Sequence, residues 1–254
     1  MSEQPYYVPE SSKLPFLMAI TMLVFIIGSA QTVINLDNPD SNAYLILIAF
    51  FIMLWTVMYF WFREVIRENH AGLNNPMLKD SYVYGMAWFI FSEVMFFFAF
   101  FFALAYIRNF AVPWLGGEGE KAISNILWPG FEANWPLMIT PDQAIFEGPE
   151  QDMSLGTAYA NGGLAGVLGW LPLWNTIFLL TSSLTVHIAH LGLKNGNRRQ
   201  FNIWLGLTLV LGYLFVFFQG LEYYEAYAHM GLTLNTGIYG TTFFMLTGFH
   251  GFHV

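Results

Sequence analysis

The sequence contains no cysteine among its 254 residues. That excludes disulfides, thiolate nucleophiles and cysteine-ligated metal centres, and it removes thiols as reporters of redox compartment. Charge is the second scarcity. Asp, Glu, Lys and Arg together supply 10% of the chain, too little to coat a soluble domain of this size. Only nine residues are Lys or Arg, and the net charge of −8 argues against a nucleic-acid partner. No glycine-rich phosphate loop lies beside a basic residue. No Ser/His/Asp order reads as a triad, and no CxxCH haem attachment occurs. Residues 1–13 lack the basic start and small-residue cleavage site of a signal peptide, so residues 14–34 are expected to be a retained span.

What the chain has in abundance is apolar surface. Hydrophobic residues make up 56%, aromatics 19%, and there are 26 Phe. Six apolar segments, at about residues 14–34, 42–62, 81–107, 163–190, 201–221 and 237–254, each approach the ~20 residues needed to cross a hydrocarbon core. None alternates as a strand does, and open backbone groups find no partner in lipid, so all six are expected to be helices of one membrane domain over 1–254. The sixth span reaches Val254 with no polar exit, which suggests a fragment or a terminus short of the natural one.

The basic residues set an orientation. Lys13 precedes the first span, Arg63, Arg67 and Lys79 lie between the second and third, and Lys194, Arg198 and Arg199 lie between the fourth and fifth. The intervening short loops carry none. By the excess of positive charge on the inner side, the N-terminus is expected in the cytoplasm, or on the matrix side of an organelle. The loop at about 108–161 then lies outside. It holds Glu118, Glu120, Glu132, Asp142, Glu147, Glu150 and Asp152 among five prolines. It reads as an irregular solvated cap, or alternatively as an acidic surface for a basic partner.

Glu93 sits about midway along the third span, between Phe91 and residues 96–102. An acid such as Asp at the helix centre costs about 2.5–3.5 kcal/mol on insertion scales, so Glu93 is expected to be protonated, to face a partner, or to line a wet path. Two histidine pairs have same-face helical spacing, His187 with His190 and His250 with His253. With Glu93 they make five candidate ligands for zinc, copper or iron. Depth opposes that reading, because His187 and His190 fall at the inner boundary, and bonds to neighbouring helices or lipid headgroups are the plainer expectation. Ser92, Asn175, Thr176, Gln219, Glu222 and Tyr223 read as groups that stitch helices together. Gly162, Gly166 and Gly169 read as sites of close helix approach. Arg63, Arg67 and His70 form a possible phosphate-headgroup site at the inner surface, or are ordinary orientation charges.

Several ordered motifs resemble subunit III of the haem–copper cytochrome c oxidases. They are the stretch from Ser92-Glu93-Val94-Met95 through the phenylalanines to Phe101, then Leu171-Pro172-Leu173-Trp174-Asn175-Thr176 with Leu184-Thr185-Val186 and Ala189-His190. Gln219, Glu222-Tyr223 and Ala226 follow, and then Tyr239-Gly240, Phe243-Phe244 and Thr247-Gly248-Phe249-His250-Gly251-Phe252-His253-Val254. The pattern departs at Ile188, where the family usually has Trp, at Leu191, where a second His is usual, at Phe102 and Tyr106, and at Asn235, a usual Asp. The resemblance implies an all-α integral membrane bundle, with six of the family's seven transmembrane helices visible, split into helices 1–2 and the rest by a lipid-holding cleft.

It also implies a non-catalytic core subunit of a proton-pumping complex. That subunit stabilises subunit I, binds structural phospholipids and supports proton uptake during oxygen reduction. No redox centre is expected on this chain; the haems and copper belong to partner subunits I and II, and cytochrome c or another donor feeds the complex. A divergent bacterial member, multi-pass in the cytoplasmic membrane, is expected. The family's matching carboxylate reacts with hydrophobic carbodiimides, which makes Glu93 either a cleft or helix-bonding anchor or part of a proton-uptake route. Ser92, His190, Gln219, Glu222, His250 and His253 are the accompanying polar motif. A quinol-oxidase third subunit, a transporter and a His/Glu metalloenzyme are the alternatives.

Overall fold

A computed structural model of the chain describes residues 8, 11–35, 38 and 40–253, and every regular element among them is helical. Eight α-helices are present: α1 (Leu14–Ile34), α2 (Tyr44–His70), α3 (Pro76–Tyr106), α4 (Val112–Leu115), α5 (Leu155–Gly169), α6 (Leu171–Lys194), α7 (Arg198–His229) and α8 (Gly237–His253). A π-helical turn joins α3 to α4, and a short 3-10 helix covers Ala122–Ile126. Among the described residues five stretches are long and apolar enough to cross a bilayer: Leu14–Ile34, Tyr44–His70, Pro76–Leu115, Leu155–Lys194 and Arg198–His229. The protein is therefore a multi-pass membrane protein. The 17 residues of α8 coincide with the sixth expected span, and its expected end at Val254 lies outside the described residues. The chain divides into two compact units, Met1–Ser92 and Glu93–Val254.

In the first unit α1 and α2 pack on each other. Pro15 suits the opening turn of α1, where no backbone donor is needed. Phe25 and Phe50 meet with ring centroids 4.6 Å apart, and Phe50 is fully buried. Gly28 lets the helices close: a Cβ there would lie 3.0 Å from Ile46 Cγ2 and 3.2 Å from Leu47 Cδ2. Small residues serve this purpose in membranes, where lipid tails are as apolar as Leu and packing rather than burial holds helices together. Thr21 is fully buried, and its hydroxyl donates to Leu17 O at 2.9 Å within its own helix. The helix α2 runs to His70, eight residues beyond the expected span. The polar extension is held by an Arg67–Glu64 pair at 2.8 Å, which is a helical i, i+3 contact.

In the second unit α6 and α7 form a long antiparallel pair. Thr185 and Thr208 share a hydroxyl contact at 2.8 Å, and the Phe178 and Phe218 rings meet at 5.3 Å. The end of α7 joins α8 through Tyr223 and Thr247, whose hydroxyl oxygens are 2.7 Å apart, and through the buried cluster of Ala226, Leu232 and Phe244. The segment between α3 and α5 forms a small core of its own, a cap built on Val112, Phe131 and Leu137. Lys121 lies over the Trp114 ring at 4.5 Å and Arg108 over Trp135 at 5.7 Å, so both basic groups of the cap rest on aromatic faces.

The fourth expected span, 163–190, corresponds to two helices. Hydropathy runs through without a break, but Gly163 adopts φ 56° and ψ −138°, and Trp170 is extended between α5 and α6. Pro172 starts the new helix. The close approach expected at Gly162, Gly166 and Gly169 is also different. Only at Gly166 would a Cβ meet another atom, the Ala158 carbonyl oxygen of the same helix, and the other two face open space.

Replacing Gly28 by Leu should force α1 and α2 apart and cost about 1–3 kcal/mol, the usual range for overpacking. Thermal denaturation of the purified protein in detergent should show a lower midpoint. An unchanged midpoint would mean that the glycine contact does not set the α1–α2 spacing.

Candidate functional site

The polar centre of the second unit is built from two helices far apart in sequence. The first residue of that unit, Glu93, projects from α3 in a run of bulky aromatics. On α8 the spacing of His250 and His253 puts both imidazoles on one face. The structure brings the three together. His250 Nδ1 is 2.9 Å from Glu93 Oε2, and His253 Nδ1 is 2.8 Å from Glu93 Oε1. The Glu93 side chain is 15% exposed, so the carboxylate meets its need for partners through these contacts rather than through bulk water.

Aromatic rings enclose the site. Phe97 meets His250 edge-on at 4.9 Å, Phe249 meets His253 at 4.8 Å, and Phe96 meets Phe249 at 5.2 Å. An apolar surround lowers the local dielectric, so each polar contact is stronger and each lost contact more costly. An ionised carboxylate only accepts hydrogen bonds. With Glu93 ionised, His250 therefore carries a proton on Nδ1 and donates it to Oε2, leaving Nε2 as the ring atom that can take another, while His253 Nδ1 meets Oε1 at ion-pair distance. The cluster carries one negative charge when both rings are neutral and none after one proton is added. It can fasten α8 to α3, and it can hold a proton.

The remaining sequence candidates separate from this centre. His187 and His190 are exposed on α6, so the five possible ligands do not converge. Among the described residues no group of three or more His, Asp or Glu is arranged to hold a metal ion. Ser92 is exposed and its hydroxyl donates to Phe89 O at 2.7 Å within α3. Gln219 is half-buried and hydrogen-bonds Tyr223. Glu222 is 7% exposed, one of the most buried polar residues described. In the first unit Arg63, Arg67 and His70 are exposed over the last turns of α2, and Arg67 already pairs with Glu64. The sequence singled out Glu93 and both histidines of α8, yet it held no sign that they bond one another.

The family model described as cytochrome c oxidase subunit III matches residues 4–116 and 147–254. The unmatched stretch falls within the cap between α4 and α5, and all three residues of the cluster lie in the matched parts. A cytochrome c oxidase subunit 3 from Prototheca wickerhamii is 32% identical over 256 residues, covering 100% of this chain and 79% of its own length. One from Oncorhynchus mykiss is 34% identical over 257 residues, covering 98% and 77%. One from Gadus morhua is 37% identical over 204 residues, covering 80% and 62%.

If the cluster joins α3 to α8, a double-mutant cycle between Glu93→Gln and His253→Ala should give a coupling of about 0.6–1.7 kcal/mol, the range of interhelical polar contacts in membranes. The His250 cycle should give less, since that side chain is 40% exposed against 24% for His253. Unfolding titrations in mixed micelles would measure both couplings. Additive effects in both cycles would remove the cluster's role in holding the helices.

Proposed function

We propose a role from one premise: the chain belongs to the cytochrome c oxidase subunit III family. Its relatives are parts of the respiratory complex that reduces oxygen, so the chain works within a multi-subunit assembly. In this reading it is the supporting subunit, carries no haem or copper of its own, and packs beside the subunit I that holds them while subunit II receives electrons from cytochrome c or another donor. The observation that carries the proposal is the extent of the similarity, which covers both units and includes Glu93, His250 and His253. The absence of cysteine is consistent with it, since a dinuclear copper centre of the thiolate kind has no ligands here.

Within that role the Glu93–His250–His253 cluster acts first as a clamp. It keeps α8 seated on α3, and through Tyr223 and Thr247 it supports the end of α7. Lipid binding fits the exposed apolar faces of the spans, and Arg63, Arg67 and His70 are spaced to meet a phosphate at one membrane surface. The placement of basic residues supports an N-terminus on the cytoplasmic side of a bacterial membrane, or the matrix side of an organelle. A second reading, support of proton uptake, is favoured by one feature: the three groups share two contacts and can take up one further proton without breaking either.

Purification of the tagged chain from native membranes should bring with it a haem-bearing partner and oxygen consumption. The chain separated from that partner should be colourless. Catalysis or tightly held iron or copper in the isolated chain would overturn the proposal. In Glu93→Gln, the loss of about 1 kcal/mol in helix docking should speed inactivation of the complex roughly fivefold. Equal loss with and without turnover supports the clamp; loss confined to turnover, with slower proton uptake at alkaline pH, supports the proton role.

A further inference from the structure

A second polar site lies in the Glu93–Val254 unit, away from the Glu93 cluster. A cavity of about 190 Å³ opens where α5, the α5–α6 break and the end of α7 meet. Its lining carries three carboxylates, Asp152, Glu222 and Glu225, with Asn161 and Ser154, and it contains no Lys, Arg or His. Asp152 accepts a hydrogen bond from the Thr157 hydroxyl. Glu222 is different: it is 93% buried, and among the described residues no hydrogen bond or ion pair reaches its carboxylate. Its neighbour Glu225 adds repulsion.

A second orphan lies beside it. Asn175 is 5% exposed, and neither its Oδ1 nor its Nδ2 has a partner among the described residues. The α6–α7 register set by Phe178–Phe218 and Thr185–Thr208 places Asn175 one turn closer to the cavity, level with the turn of α7 that bears Glu222. Two buried polar side chains on facing turns are thus unsatisfied. A buried acceptor without a donor is costly, and a buried unpaired charge more so.

We propose that this cavity is the headgroup site of an aminophospholipid, with the lipid's primary ammonium group seated between Glu222 and Glu225. Charge complementarity selects a cation. Shape rejects a bare ion: among the described residues no group of three or more His, Asp or Glu is arranged to hold a metal, and the volume is on the order of six water molecules. An alkylammonium on a short stem fills it, and its N–H groups supply the donors that Glu222 lacks. The amides and hydroxyls of Gln151, Asn161 and Ser154 are neutral donors for the adjoining phosphate.

Location selects a lipid over a neighbouring subunit's lysine. The cavity sits at the start of the α6 span, where the Trp170 and Trp174 indoles donate to the carbonyls of Met153 and Leu168 as interfacial tryptophans do. Just beyond it α5 exposes Leu164 at 77% and Leu168 at 62%, an apolar track for an acyl chain. The site rests on the membrane reading of the chain and is independent of the role given to Glu93.

The test is lipid analysis of the complex as purified, after exhaustive detergent washing. Wild type should retain about one more phosphatidylethanolamine per complex than Glu222→Gln/Glu225→Gln. Delipidated wild type should rebind phosphatidylethanolamine at least about tenfold better than phosphatidylglycerol, whose headgroup brings no cation to the carboxylates. That second measurement needs no variant, so it holds if the double substitution fails to assemble. Equal retention in both proteins, equal rebinding of the two lipids, or zero-length crosslinking of Glu222 or Glu225 to a lysine of a neighbouring subunit would each overturn the proposal. Should the chain purify without a haem-bearing partner, the subunit role fails, while lipid retention can still be read on the assembly obtained.

Discussion

A carboxylate placed at membrane depth has to find donors inside the protein, and much of the second unit is arranged around meeting that demand. Glu93 finds a donor in the His250 imidazole and a second close partner in that of His253, 157 and 160 residues later in the chain. Those contacts fix which face of α8 meets α3. The Phe96–Phe249 and Phe97–His250 ring contacts then follow on the same face. From α8 the chain of polar links continues through Thr247 to Tyr223 on α7, and from α7 through Thr208 to Thr185 on α6. Each link is modest, but hydrophobic burial cannot bring helices together when the solvent is itself hydrocarbon. Polar pairs and close packing remain to specify neighbours.

The same economy explains how little of the chain is buried. No residue of α3 is buried, and large apolar side chains are exposed along every span. For a water-soluble protein this would signal aggregation. For a subunit surrounded by lipid and by other subunits it is the expected finish, and it agrees with a chain whose relatives are parts of a larger respiratory complex. The polar exceptions carry the information. Two sit at opposite extremes of satisfaction: Glu93 has a histidine on each oxygen, whereas Glu222 has none of its own.

Much of the architecture was legible from residues alone, for definite reasons. Hydropathy marks the lipid-crossing part of a helix, so the bounds of α1 match Leu14–Ile34. It does not mark helix that continues into water, which is why α2 carries on past Phe62 through Arg63, Glu64 and Arg67. It is also blind to breaks inside an apolar run. The separation of α5 from α6 rests on the backbone at Gly163 and Trp170, and Pro172 was the one local sign of a helix start. The members of the polar cluster were legible as oddities, an acid and two histidines in grease. Their pairing was not, because contacts over such separations leave no local pattern. Glu222 and Asn175 read as ordinary stitching groups, and only three-dimensional neighbours reveal that the chain itself does not stitch them.

The account turns on the Glu93 carboxylate being held by both α8 histidines in the membrane. Solid-state NMR on protein in lipid, with 15N in histidine and 13C in glutamate carboxyls, measures this directly. Through-space transfer is expected from the Glu93 carboxyl carbon to the Nδ1 nitrogens of both histidines, that of His250 protonated, and both transfers should be lost in Glu93→Gln. A Glu93 signal with no histidine nitrogen nearby would contradict it.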